Sequence, residues 1–334
     1  MNIDLTLVWA GIIVFAVFVY VVMDGFDLGI GILFPLFTVG PERDTAMNSV
    51  APVWDGNETW LVLGGGGLLA AFPLAYGIIF SGLYAPLVAM LLALIFRGVA
   101  FEFRWRDPGH RAAWDAAFSG GSLLAALCQG IILGALLQGM KVSGRAYAGG
   151  WWDWLTPFSL LTGAGLVAAY ALLGATWLIL KTEAALQAKA RRLAGRLGAA
   201  TLAAIVLVSA ATPFLAGAYF ERWFAFPQVL LTAQVPLLIA IASVAFARSL
   251  ARGHELAPFL LTLFVFLLCF LGLGISVYPH VVPGAVTIWQ AATPHSSQLF
   301  LLVGTAAIMP MILLYTAWAY WVFRGKTSAH GYHA

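Results

Sequence analysis

The sequence predicts an all-α, polytopic membrane protein with nine transmembrane helices in a single domain over residues 1–334. Three observations predict it. Of the 334 residues 62% are hydrophobic and 9% charged, against about 25% charged in a soluble domain. Uncharged runs of the ~20 apolar residues that cross a bilayer recur from Leu5 to Phe323. Runs such as Phe259 to Val277 are apolar on every side, whereas a transmembrane β-barrel needs segments of about 10 residues that alternate.

The spans read as 7–35, 52–74, 78–98, 115–138, 157–180, 198–218, 228–247, 257–278 and 298–323. The first begins after Asp4 with no basic segment before it and no small-residue cleavage site, so it is expected to be retained. Thr59 to Phe96 carries no charge over 38 residues. As one helix it would extend about 57 Å, nearly twice the hydrocarbon thickness, so a turn is expected around Pro73 to Gly77. Lys181 to Arg196 reads as a basic amphipathic continuation of the fifth helix along the inner surface. No hydrophilic stretch is long enough for a folded domain.

Basic residues set the orientation. Of the 17 lysines and arginines, only Lys141, Arg145 and Arg222 fall on one side of this nine-span scheme, and the other 14 fall opposite. The positive-inside rule then places the N-terminus outside and the C-terminus in the cytoplasm. Trp151, Trp152 and Trp154 at one end, with Trp318 and Trp321 at the other, suit interfacial aromatic belts. A net charge of +3, spread over short loops, gives nucleic-acid binding no support.

Ionisable groups inside spans cost roughly 2.5–3.5 kcal/mol each on insertion scales, so they need partners, water or a task. Asp24 and Asp27 share a helical face, and Asp55 and Glu58 repeat that spacing in Trp54-Asp55-Gly56-Asn57-Glu58. The topology gathers all four toward the cytoplasmic end, where Arg97 is expected to close the third helix and Glu102 to follow it. One reading is a proton-uptake route, since carboxyls in low dielectric exchange protons with a file of water. The other is an ion-pair network around Arg97 that fastens three helices.

Gly64 to Gly67 fit either an unwound ion-binding segment or close helix packing. Cys128 and Cys269 lie in apolar runs and read as buried structural thiols. His110, His254, His280, His295, His330 and His333 fall in loops, at span edges or in the tail, which argues against haem ligation by this chain's histidines. Methionines such as Met23, Met90, Met309 and Met311 read as core filler, and no metal site is indicated.

Asp24-Gly25-Phe26-Asp27-Leu28-Gly29, Ala51-Pro52-Val53-Trp54-Asp55-Gly56-Asn57-Glu58 and Leu313 to Trp321 (LLYTAWAYW) resemble segments of subunit II of cytochrome bd-type quinol oxidases, including the cyanide-insensitive branch. Phe72 to Tyr76, Phe80 to Tyr84, Phe96 to Glu102 and Ser296 to Leu299 extend the resemblance in order along nearly the whole chain. It implies nine helices arranged as two four-helix bundles plus one. It implies a heterodimer with a haem-carrying subunit I, which oxidises ubiquinol or menaquinol and reduces O₂ to water in the bacterial cytoplasmic membrane. Two b-type haems and a d-type or third b-type haem would lie in subunit I, with none ligated here. A bound quinone, a small single-helix subunit and lipid are further candidate partners, and an apolar gas path a further role.

Position by position, the resemblance makes Asp55 the leading proton-path candidate, with Glu58, Asp24 and Asp27 beside it. Arg97 and Asp115 match polar positions linked to haem stability, and Glu102, Trp54 and Asn57 join them as structural polar positions. Gln290 stands where some members carry an aspartate. A secondary transporter using buried carboxylates is the alternative reading, although no convincing internal repeat supports it.

Overall fold

The computed structural model describes residues 4–327; His330 and His333 lie outside the described residues. The elements, in order, are α1 Leu5–Leu33, α2 Pro41–Asn48, α3 Trp54–Ala71, α4 Pro73–Gly82, α5 Tyr84–Arg106, α6 Arg111–Leu137, α7 Pro157–Lys181 and α8 Ala184–Ala211. After these come α9 Gly217–Phe224, α10 Val229–Thr232, α11 Gln234–Ala251, α12 Leu256–Val277, α13 Ile288–Ala291 and α14 His295–Val322. Two antiparallel hairpins sit in loops, β1 Val142–Ser143 with β2 Ala146–Tyr147, and β3 His280–Val282 with β4 Val286–Thr287. Among the described residues eight helices are long and apolar enough to cross a membrane, or nine if the bent pair α3–α4 is one span.

Helices α1, α3, α5 and α6 form one bundle, while α7, α8, α11 and α12 form a second. They join where α7 packs on α1 and α6, and α14 lies against α1 and α3. The α1–α7 seam is nearly backbone to backbone: a Cβ on Gly174 would lie 2.9 Å from the Cα of Gly29. Glycine in α1 and α7 is therefore a packing requirement, since interhelical attraction within a bilayer comes from close contact rather than from expelling water.

Several boundaries differ from the sequence reading. Helix α3 stops at Ala71, and α4 turns away from it by 119°. Pro73 disfavours helical backbone at the residue before it, and Phe72 adopts φ −133° and ψ 58°. The third span therefore runs 84–106 rather than 78–98. Arg97 does not close it but lies nine residues before its end, fully buried. Helix α6 begins at Arg111 rather than near 115, which brings Asp115 inside the helix.

The segment Lys181 to Arg196 is not a continuation of the fifth helix. Thr182 and Glu183 are extended and Ala184 takes φ 51°, so the chain reverses there. Gln187 folds back to donate to the carbonyls of Ile179 and Thr182, both at 3.0 Å. Those bonds occupy orphan carbonyls at the end of α7, and the basic run becomes the first half of the sixth crossing. The seventh crossing runs Val229–Ala251, with the short helix α10 leading into α11.

Helix α3 stays helical through Gly64 to Gly67. Cβ atoms on Gly64 and Gly67 would press on Val17 and Ile13 of α1 at 3.1 and 3.3 Å, whereas those on Gly65 and Gly66 would meet nothing within 4 Å. Half of the glycine run serves the α1–α3 contact, and half faces away from this chain.

Helix α14 is held mainly at its ends. Near its start, Trp9 donates to the Gln298 carbonyl at 3.0 Å, and Gln298 donates to Thr6 at 3.3 Å. Past its end, Lys181 donates to the Phe323 carbonyl at 2.6 Å, and Lys326 pairs with Glu255 at 2.7 Å. That amine and the Gln187 amide hold the Glu255 carboxyl below its usual proton affinity. Between these ends Phe300, Val303, Met311, Leu314 and Trp318 are exposed.

Candidate functional site: a buried arginine with three carboxylates

The site is built on α1, α3 and α5. The Asp24/Asp27 face of α1 meets α5 at Arg97, whose side chain has no solvent exposure. Nη2 of Arg97 lies 2.9 Å from Asp24 and 3.7 Å from Asp27, and Nη1 lies 2.5 Å from Glu58 of α3. Asp24 and Asp27 are sealed, whereas the Glu58 side chain keeps 26% of its exposure. Three carboxyls thus surround one guanidinium, and only Glu58 reaches the surface of this chain.

Polar side chains complete the surroundings. Asn57 donates its amide to Asp27 at 2.7 Å and accepts from the Tyr320 hydroxyl of α14 at 2.9 Å. Arg97 stacks over Phe101, and Phe101 lies flat on Trp54 with ring centroids 4.8 Å apart. Trp54 and Asn57 therefore brace the cluster from α3. Buried atoms left without an aligned hydrogen-bond partner include both Asp24 oxygens, Asp27 Oδ1 and Arg97 Nε. In a native interior such atoms point to water or to a neighbour outside the chain.

The structure does not gather every residue the sequence suggested. Asp55 lies beside Glu58 on the outer side of α3, exposed, and makes no ion pair with a described residue. With Thr59, Val62, Gly66 and Leu69 it forms an exposed seam at alternating spacings of three and four. Glu102 is exposed and pairs with Arg106 at 3.4 Å, away from Arg97. Gln290 closes a capping box with Thr287 at the start of α13.

Asp115 belongs to a second network rather than to Arg97. It accepts from Arg104 at 2.5 Å and from Arg43 at 2.7 Å. Asp44 receives Arg104 at 2.9 Å and Arg111 as well. Arg104, only 1% exposed, also faces Phe34 and Trp105. This knot ties α2 to α5 and α6. Sequence reasoning missed Arg43, Asp44 and Arg104 as partners because their pairing is set by how α2 packs back against α5 and α6.

A second omission is a polar chain beside Asp24. Tyr170 of α7 donates to Gln129 of α6 at 2.8 Å, and Gln129 donates to Tyr20 of α1 at 2.7 Å. Tyr20 stands one helical turn before Asp24 on the same face of α1. A lone glutamine or tyrosine in an apolar run was the available signal, and it does not name a partner.

Among the described residues no group of three or more histidine, cysteine, aspartate or glutamate side chains is placed to hold a metal ion. His110, His254 and His295 are exposed beside helix ends, and His280 lies in β3. None is positioned as an axial haem ligand within a span. Cys128 and Cys269 are free.

A multi-pass helical bundle enclosing an arginine–carboxylate knot defines a polytopic membrane protein of the all-α class. The model of cytochrome bd terminal oxidase subunit II matches residues 5–323, and the chain belongs to that family. It is 31% identical to cytochrome bd-I ubiquinol oxidase subunit 2 of Escherichia coli strain K12, over 92% of this chain and 91% of that one. It is 28% identical to the probable cytochrome oxidase subunit 2 of Haemophilus influenzae, over 98% and 96%. The structure of bd oxidase from Geobacillus thermodenitrificans shares the fold at a TM-score of 0.79 and 19% identity, covering 96% of this chain and 99% of that one. The protein is a component of a quinol oxidase, and membership as subunit II implies a subunit I as its partner.

Proposed function

We propose that this chain completes the membrane domain beside a haem-carrying subunit I and conducts protons from the cytoplasm toward the partner's oxygen-reducing centre. The observation that carries the reading is the Arg97 cluster. Three carboxyls around one fixed cation cannot all be charged in a low-dielectric interior without large repulsion, so the cluster holds at least one exchangeable proton. Glu58 is its way out.

The exposed seam on α3 supports a partner covering this face. Asp55 and Thr59 facing lipid would be costly, and Gly66 offers close approach to a second backbone. Glu58 and Asp55 then lie on the face that subunit I covers. The haems, two b-type with a d-type or a third b-type, belong to that subunit, and quinol is the electron donor.

Orientation follows from the helix ends. Of the cations, 14 fall on the side where α1 ends and α3 begins, and Lys141, Arg145 and Arg222 fall opposite. The positive-inside rule puts the N-terminus outside, the C-terminus in the cytoplasm of a bacterial inner membrane, and Glu58 toward the cytoplasmic end of α3.

The test is oxygen uptake with quinol by the purified two-subunit complex, with haem content from reduced-minus-oxidised spectra. Asp55→Asn and Glu58→Gln should assemble with full haem yet reduce oxygen more slowly. Full turnover in both variants overturns the proton path. Counterflow of a solute by this chain alone in liposomes would favour the transporter reading instead.

A further inference from the structure

Helices α8 and α11 pack as antiparallel neighbours, and two contacts fix their register. A Cβ on Gly198 of α8 would lie 2.8 Å from the Phe246 ring of α11. Seven residues earlier, Arg191 donates to the carbonyls of Gly253 and His254, just past the end of α11, at 2.7 and 2.9 Å. Both contacts keep one offset, because the two helices rise equally per residue. The same offset sets Arg192 level with Arg252, and Arg196 level with Arg248. Along each helix the two arginines are four residues apart, on one face and about 6 Å from one another along the axis. Four exposed cations therefore stand as two rungs across the end of the α8–α11 seam.

Among the described residues none of the four makes an ion pair or a side-chain hydrogen bond. Every other lysine and arginine at that end meets a carboxylate or a backbone carbonyl. Glu255, in the turn after α11, is already held by Lys326 at 2.7 Å and Gln187 at 2.8 Å. The positive-inside rule accounts for cations at this end of the spans. It does not account for four of them being unpaired, in register and confined to two helices. Like charges one turn apart repel, and an anion beside the rungs removes that repulsion.

Depth and shape define the anion. Residues 197–211 of α8 and 234–247 of α11 carry no charge, so the arginines begin where the apolar spans end, at the depth of lipid headgroups. Val244 and Ile241 of α11 and Leu207 of α8 are exposed, an apolar flank suited to acyl chains. A Cβ on Gly195, between the levels of Arg192 and Arg196, would meet nothing within 4 Å, so the space beside it is open. A guanidinium fork matches the paired oxygens of a phosphodiester.

We propose that Arg192, Arg196, Arg248 and Arg252 bind the phosphodiester headgroup of an anionic phospholipid whose acyl chains lie along the α8–α11 seam. The site belongs to the second bundle, on helices other than the α3 seam proposed to face subunit I. It therefore stands or falls separately from the proton path.

The experiment titrates the delipidated two-subunit complex with phosphatidylglycerol in detergent and counts bound lipid by native mass spectrometry. The parent should bind phosphatidylglycerol more tightly than phosphatidylcholine. Arg192→Gln with Arg252→Gln removes one rung, and should weaken phosphatidylglycerol binding by about tenfold or more while leaving phosphatidylcholine unchanged. Arg192→Lys with Arg252→Lys keeps the charge that sets topology but loses the fork; it should show a smaller loss, and it decides the matter if the glutamine variant does not assemble. Arg106→Gln with Arg324→Gln removes the same charge elsewhere at that end and should bind as the parent does. An equal loss in that control, or parent-like affinity in the Arg192 and Arg252 variants, overturns the site. Inorganic phosphate should leave the bound lipid in place; displacement at equal concentration would assign the arginines to a free anion and overturn the lipid reading.

Discussion

Arg97 and Glu58 meet at 2.5 Å, the guanidinium wholly buried and the carboxylate side chain 26% exposed. The pair joins the cluster's sealed interior to its one opening, and it forms because α5 continues past the level at which α3 begins. Removing one partner of a buried ion pair costs about 3–5 kcal/mol, because the other charges stay behind uncompensated. Arg97→Gln should therefore lower both the yield and the melting temperature of the complex. Arg97→Lys should recover little, since one ammonium cannot present the fork that spans Asp24 and Glu58. Thermal unfolding of the purified variants measures both effects.

The second knot should behave as structure alone. Asp115→Ala strips both Arg104 and Arg43 of a partner, and the loss of a buried pair again predicts about 3 kcal/mol or more. Glu102→Gln touches only the exposed contact with Arg106, where pairs contribute at most about 1 kcal/mol. The first variant should unfold several degrees earlier, and the second should match the parent in the same scan.

Helix α14 meets the cluster through Tyr320 and Asn57. Tyr320→Phe removes one neutral hydrogen bond, worth about 1 kcal/mol, and keeps the ring beside Phe26 and Trp177. Assembly should persist with a small drop in melting temperature. Asn57→Ala removes the donor to Asp27 as well, and should slow oxygen uptake more than Tyr320→Phe does.

Glycines separate contacts within this chain from contacts beyond it. Gly29→Ala would drive a methyl group into the Tyr170 carbonyl oxygen across the α1–α7 seam, so the chain itself should fail to accumulate. A Cβ on Gly66 would meet nothing within 4 Å, so Gly66→Leu would extend from the α3 seam proposed to face subunit I. That variant should insert normally yet purify with reduced partner and haem, as gel filtration and haem spectra would show.

Amino-acid order alone carried the membrane class, the approximate spans and the pairing of carboxylates on α1 and α3, because apolar length and helical spacing are local properties. Runs of uncharged residues cannot hide from hydropathy, and Asp24 with Asp27 must share a face in any helix. Four features depended on the folded chain. The helix break at Phe72 moved Arg97 from an end to an interior, and the reversal at Ala184 turned a basic run into a crossing. Asp115 was tied to Arg104 and Arg43, and of the two carboxyls on the outer side of α3 only Glu58 reached Arg97. Tyr20, Gln129 and Tyr170 lie on three different helices, so only packing could bring them together. Interhelical distance is set by where glycines such as Gly29 and Gly174 let backbones touch, and no sequence period encodes that.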